Sequence, residues 1–226
     1  MYVTWPAPLP NGATGEEMAL SFDWNRKHRL LVLAPLFSEN NTFRHQLFEI
    51  MLQLSLSGID CYMPDLPGCN ESAQPLALQT LAHWRMAAAV AADHFRASHV
   101  FSLRSSAPIA PATLPGWCYA PTAPAQTLRT LLRARIIAAS EAGMEESSEG
   151  LLETGLEHGL DLGGWHLGPA LIAEMHSAEN VVTAGHDAIA HDDIGGSPLW
   201  LRAEPGTDAG QAARLVQIMV DGIIEP

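Results

Sequence analysis

The chain has 226 residues, 47% of them hydrophobic and 16% charged, which is enough material for one full core. With 12 Lys+Arg against 25 Asp+Glu its formal net charge is -13. That balance excludes the basic stripes of a phosphate-tracking nucleic-acid binder and an electrostatic hold on anionic membranes.

The first 18 residues are rich in Pro, Gly and Thr and predict a surface wrap, followed by a first, edge strand over Ala19 to Trp24. Arg29 to Pro35 is a compact apolar run and predicts a buried strand. Phe43, Leu47, Ile50, Met51 and Leu54 then recur at helical spacing, with Asn41 or Thr42 as N-cap and Gly58 as the stop. Ile59 to Met63 predicts the next strand, and Leu81, Trp84, Ala88, Ala91 and Phe95 the next helical stripe. His99 to Leu103 and Gly116 to Ala120 complete a strand–helix–strand–helix–strand order, the mark of a parallel sheet with helices on both faces. In the second half, Gln126 to Ser140 predicts a helix, and the acidic, glycine-punctuated stretch Glu141 to Glu157 a mobile insertion. Pro169 to Glu179 predicts a short helix, 182–197 a loop or loose helix, Pro198 to Ala203 the last strand, and Gly210 to Gly222 a closing helix. One domain over 1–226 is expected, with an insertion or lid near 141–168.

Three cysteines, Cys61, Cys69 and Cys118, form no close pair and read as reduced thiols. The N-terminus has neither a basic start nor an apolar stretch, and no window approaches the roughly 18 apolar residues of a membrane span. A cytoplasmic protein is the expectation.

The chemistry concentrates at residues 99–108, where an apolar strand runs into Ser102-Leu103-Arg104-Ser105-Ser106. That layout fits a nucleophile elbow, small-x-nucleophile-x-small, with Arg104 at the centre and Ser102 and Ser106 in the small positions. A guanidinium stays protonated and offers only donors, so it cannot attack a carbonyl. Centring the turn on Ser105 instead puts Leu103 where a small residue is wanted. The triad order is nucleophile, acid, histidine. Asp208 or Glu204 could serve as the acid after the 198–203 segment, but the last of the ten histidines is His191, and no imidazole follows.

A family resemblance follows from these residues. Leu33-Ala34-Pro35-Leu36-Phe37-Ser38-Glu39-Asn40-Asn41, with Arg44 beyond, resembles the post-strand segment of the exosortase A system-associated hydrolases. Asp65-Leu66-Pro67-Gly68-Cys69-Asn70-Glu71-Ser72 is similar to their Asp-Leu-x-Gly-x-Gly-x-Ser segment, with Asn70 for a glycine. Ser102-Leu103-Arg104-Ser105-Ser106-Ala107 resembles their Gly-Leu-Arg-x-Gly-Ala, and the Arg129–Ala139 helix and Gly163 to Leu171 also look related. The resemblance implies an α/β-hydrolase fold and a link to bacterial export or exopolysaccharide systems, without a demonstrated reaction.

The expected architecture is a three-layer α/β-hydrolase-like fold with a mostly parallel sheet of about six to eight strands, truncated at the C-terminal end. The expected function is that of a degenerate hydrolase-fold protein, a non-catalytic or accessory binding factor. The alternatives are an esterase or thioesterase with a non-standard triad, using Ser105 and Asp208 or a histidine brought in from residues 158–191 out of the usual order, and a metal-dependent hydrolase using the His186, Asp187, His191, Asp192 and Asp193 cluster. Phe37, Ser38, Glu39, Arg104 and Ser105 are the candidate ligand-binding residues. Arg104 suits a carboxylate or phosphate; it equally suits a structural ion pair with Glu39 or Asp65. No cofactor is implied, and the candidate partners are a small anionic or acyl ligand and a second copy of the chain.

Overall fold

The structure is a computed structural model that describes residues 1–179, 185–202 and 204–224. Its centre is a seven-stranded sheet. Strands β1 (Tyr2–Pro8) and β2 (Thr14–Phe22) form a hairpin at one edge. β3 (Arg29–Leu33), β4 (Asp60–Pro64), β5 (His99–Leu103), β6 (Gly116–Tyr119) and β9 (His186–Ile189) continue it in the order β1-β2-β4-β3-β5-β6-β9. The hairpin pairs antiparallel with β4, and every later pairing is parallel. A separate two-stranded hairpin joins β7 (Leu160–Leu162) to β8 (Trp165–Leu167).

Helices cover both faces. Along β3 every residue is buried, and successive side chains point to opposite faces. Leu30 and Val32 pack under α1 (Ser38–Leu56) and α7 (Ala209–Ile224). Leu31 and Leu33 pack under α2 (Leu81–His94), α3 (Pro124–Glu141) and α5 (Pro169–Ser177), with α4 (Ser148–His158) outside them. The chain therefore has the three-layer, mostly parallel architecture expected of it. Among the described residues no helix is long and apolar enough to cross a membrane.

Several elements differ from the sequence expectations. The opening Pro-rich stretch is the edge strand β1, and of the strand expected over Ala19 to Trp24, residues Ala19 to Phe22 form the second half of a longer β2, with Asp23 and Trp24 beyond its end. Pro6 and Pro8 are tolerated because an edge strand can lack a donor, while Trp5 and Ala7 turn inward. The acidic segment after Glu141 contains a helix, α4, capped by the Ser147 hydroxyl accepting from Gly150 N–H. The part of 182–197 that the structure describes holds β9 and the single turn α6 (His191–Ile194), so the last strand of the sheet lies here. Residues 182–184 lie outside the described residues. Leu199–Leu201, expected in the last strand, is a 3-10 turn that begins after Pro198 and pairs with no strand among the described residues; Ala203 lies outside them.

Candidate functional site

The parallel strands β3, β5 and β6 end together, and the site is built on the loops that follow them. After β5 the chain turns at Arg104, which has φ +50. A non-glycine residue in that region is strained, as the tip of a nucleophile elbow is. The helix that should follow is only a 3-10 turn, Arg104–Ile109, because Pro108 and the nearby Pro111 cannot continue it. Both serines that stand in for glycines are fully buried and bonded. Ser106 Oγ accepts from Leu103 N–H and lies 2.8 Å from the Leu33 carbonyl, its acceptor, tying the elbow to the end of β3. Ser102 Oγ lies 3.0 Å from Cys118 Sγ on β6. The sharp turn survives because each added hydroxyl finds a partner.

Arg104 is held on two sides. Its Nε donates to both carboxylate oxygens of Glu39, at 3.0 and 2.9 Å, and its guanidinium carbon sits 4.0 Å from the centroid of the Trp200 ring. Of the two ion-pair partners open from the sequence, the structure uses Glu39. Asp65 instead accepts from Asn70 Nδ2, whose Oδ1 accepts from Asn40 Nδ2, a bridge from the loop after β4 to the first turn of α1. Glu39 comes within reach because α1 starts at Ser38 rather than at Asn41 or Thr42. Phe37, at φ +59, is pinned just before it between the edges of Trp84 and Trp165. Burial raises the Glu39 carboxyl above the usual carboxylate range, and the pull of Arg104 offsets this only in part.

Ser105 lies behind the elbow. Its hydroxyl accepts from the Leu36 N–H at 2.8 Å. In a hydrolase an N–H of this β3–α1 loop serves the oxyanion, so one such donor is here already occupied. Asp208 caps α7, accepting from Gln211 N–H at 3.0 Å, and pairs with Arg202. Among the described residues neither Ser105 nor Asp208 bonds to an imidazole. Glu204 lies in the same connection and takes part in no ion pair among the described residues.

With β9 as the last strand, the loop behind it does carry a histidine, contrary to the expectation built on 198–203. His191 nevertheless faces elsewhere. Its Nε2 lies 3.1 Å from the Gly196 carbonyl, so that nitrogen carries the proton and Nδ1 accepts from Tyr119 OH at 2.7 Å. Burial holds the Tyr119 phenol up at about 12. Trp200 packs edge-on against the His191 ring at 5.0 Å and also carries Arg104, so an indole joins the imidazole to the elbow. His186 Nε2 likewise donates to the Pro111 and Leu114 carbonyls. Among the described residues no three His, Cys, Asp or Glu side chains converge as a metal site. Cys69 is a half-buried thiol that desolvation pushes up to about 12, short of the thiolate a nucleophile needs.

Beside Arg104 opens a cavity of about 260 Å³. Phe37, Ser38 and Glu39 form one wall. Thr122 after β6 and the face Gln126, Thr127, Thr130 and Leu131 of α3 form another, and Trp200 and Leu201 the third. Four of the five ligand-binding candidates line it; Ser105 does not. The threonine face and Trp200 escaped the sequence reading. The polar residues at 126, 127 and 130 interleave with inward Leu128 and Leu131, a pattern that could have marked a polar groove on a packed helix.

Glu17 on β2 accepts from Ser72 Oγ at 2.7 Å at the same sheet edge. Burial raises its carboxyl, against the lowering effect of that bond. A raised acid binds its proton more tightly folded than unfolded, so stability is present at low pH. It is lost as pH rises from the ordinary carboxylate value through the folded one. Melting curves at about pH 4 and about pH 7 should therefore show Glu17→Gln gaining on the wild type at the higher pH. A gain at the lower pH would contradict this.

No family model matches the sequence, and no curated protein matches it. The fold is that of the α/β-hydrolases, and solved structures share it at low identity. Mouse α/β-hydrolase domain-containing protein 10 superposes with a TM-score of 0.52 at 12% identity, over 93% of this chain and 94% of its own. The protein Est1E of Butyrivibrio proteoclasticus gives 0.50 at 11%, over 100% and 96%. The bottromycin epimerase BotH gives 0.53 at 14%, over 98% and 99%.

Proposed function

We propose that this protein is a degenerate α/β-hydrolase that binds a small anionic or acyl ligand without turning it over. One observation carries the reading: the elbow tip holds Arg104, clamped by Glu39 and Trp200, where acyl transfer needs a nucleophile. Ser105 next to it has its hydroxyl committed to Leu36, and His191 has both nitrogens committed to Tyr119 and Gly196. The fold does not dictate hydrolysis, as the epimerase BotH illustrates. The motif resemblance supports a bacterial accessory role beside an exosortase or exopolysaccharide system, and an odd, small number of cysteines with no close pair in the sequence supports the cytoplasm. One domain with a lid near 141–168 completes the proposal; Trp165 there touches Phe37 at the cavity wall.

The test is turnover of p-nitrophenyl acetate and butyrate and of an acyl thioester. The proposal expects rates equal to those of a heat-denatured control. Saturable turnover that Ser105→Ala abolishes would establish the esterase instead, and turnover abolished by a chelator the metal-dependent hydrolase.

A further inference from the structure

We infer that the cavity beside Arg104 takes a small monocarboxylate with an apolar body and one distal hydroxyl group, a class that deepens, and rests on, the binding role proposed above. Arg104 spends only its Nε on Glu39. Among the described residues its two terminal nitrogens have no hydrogen-bond partner, and Trp200 fixes the plane of the guanidinium. That leaves an end-on fork of donors at the cavity wall, the geometry that receives a carboxylate. The charge count sets the limit. One cation already faces one carboxylate, so a second single negative charge can be shared, whereas a phosphate dianion would leave the site strongly negative in partly buried surroundings.

The α3 wall specifies the rest. Thr130 Oγ1 donates to the Gln126 carbonyl at 3.0 Å and Thr127 Oγ1 to the Ala123 carbonyl at 3.4 Å. Each hydroxyl has thus used its proton and can only accept. Gln126 Oε1 accepts from Arg129 at 3.4 and 3.2 Å, which leaves its amide N–H groups to donate. An acceptor pair beside a donor matches a ligand hydroxyl, which gives one hydrogen bond and receives another. The remaining lining includes the buried Leu36 and Leu131, with Leu201 exposed. A polyhydroxylated acid would turn hydroxyls onto those two buried leucines with no partner, a costly burial. The volume, about 260 Å³, falls just under the roughly 300–1,000 Å³ of drug-sized pockets, so the acid is small.

Calorimetric titration with four probes tests this: para-hydroxyphenylacetate, its uncharged amide para-hydroxyphenylacetamide, phenylacetate, and glucuronate. The hydroxyphenylacetate should bind tightest, with the other three each weaker by about tenfold or more. Arg104→Gln should erase the preference for carboxylate over amide. Thr130→Val, on a solvent-facing turn of α3, should erase the preference for hydroxyphenylacetate over phenylacetate and keep the other. Glucuronate or inorganic phosphate binding as tightly as the aryl acid would overturn the class while leaving a binding protein. So would a hydroxyl preference that survives Thr130→Val. Failure of all four probes to bind wild-type protein would also overturn it. Ester turnover in the assay above would instead remove the reading on which it rests.

Discussion

Arg29→Met is expected to lower folding stability by about 3–5 kcal/mol, the usual loss when one partner of a buried ion pair is removed. Arg29 opens β3 and is almost fully buried. Its Nε donates to the Phe95 carbonyl at 2.7 Å, its terminal nitrogen bonds Tyr62 OH, and it faces Asp60 at 3.8 Å. Asp60 is 0% exposed and accepts from Trp24 and Arg26 N–H groups. Removing the guanidinium leaves that carboxylate in low dielectric with only the half-buried Arg26 beside it, also at 3.8 Å. Asp60→Asn removes the stranded charge and keeps one of the two acceptors for those backbone N–H groups. The Arg29→Met, Asp60→Asn double variant should therefore lose clearly less than the sum of the singles. Urea denaturation of all four proteins measures the cycle. A single-variant loss below about 1 kcal/mol, or full additivity, would contradict the assignment. The network sits at the opposite end of β3 from the elbow, so the folded protein that remains should answer the four acid probes proposed above as the wild type does.

Gly116→Ala should be worse, at more than about 4 kcal/mol, because nothing nearby can move alone. A Cβ at residue 116 would lie 1.9 Å from the Val100 carbonyl oxygen, inside the parallel ladder of β5 and β6. Relief requires the two strands to part, and these are the strands that deliver Arg104 and Thr122 to the cavity. Gly58→Ala is the control. Gly58 has φ +92 but no atom within 4 Å of the added carbon, so only backbone strain on the order of 1 kcal/mol is expected. Thermal melts should show a large drop for the first and a small one for the second. Equal, small drops would mean that β5 and β6 are not paired in this register.

The parts of the fold legible in the sequence are those where local pattern and burial agree. β3 and β5 are short apolar runs buried on both faces, and α2 repeats its apolar residues at helical spacing under Thr80 as cap. The edges were opaque for a physical reason. Among the described residues β1 and β9 each have a single neighbour, so they tolerate Pro6, His186 and Asp187, residues that read as loop. Leu199-Trp200-Leu201 shows the converse: its apolar residues look like a strand, yet they serve as a cap on the elbow, with Trp200 against Arg104 and Phe43. At the site, the residue types and the elbow spacing of Arg104 were visible, since they depend on a few consecutive positions. Its choice of Glu39 over Asp65 was not, because it turns on where α1 begins. Likewise the withdrawal of His191 depends on Tyr119 and Gly196, partners far away in the chain or across a turn.

Intact-protein mass spectrometry after prolonged incubation with a fluorophosphonate probes the elbow most directly, since that reagent forms an adduct only with an activated nucleophile. With Arg104 at the tip and the Ser105 hydroxyl turned to Leu36, the mass should stay that of the untreated chain, in wild type and in Arg104→Ala alike. A stoichiometric adduct on Ser105, lost when the protein is unfolded before treatment, would show a working nucleophile and contradict a retired active site.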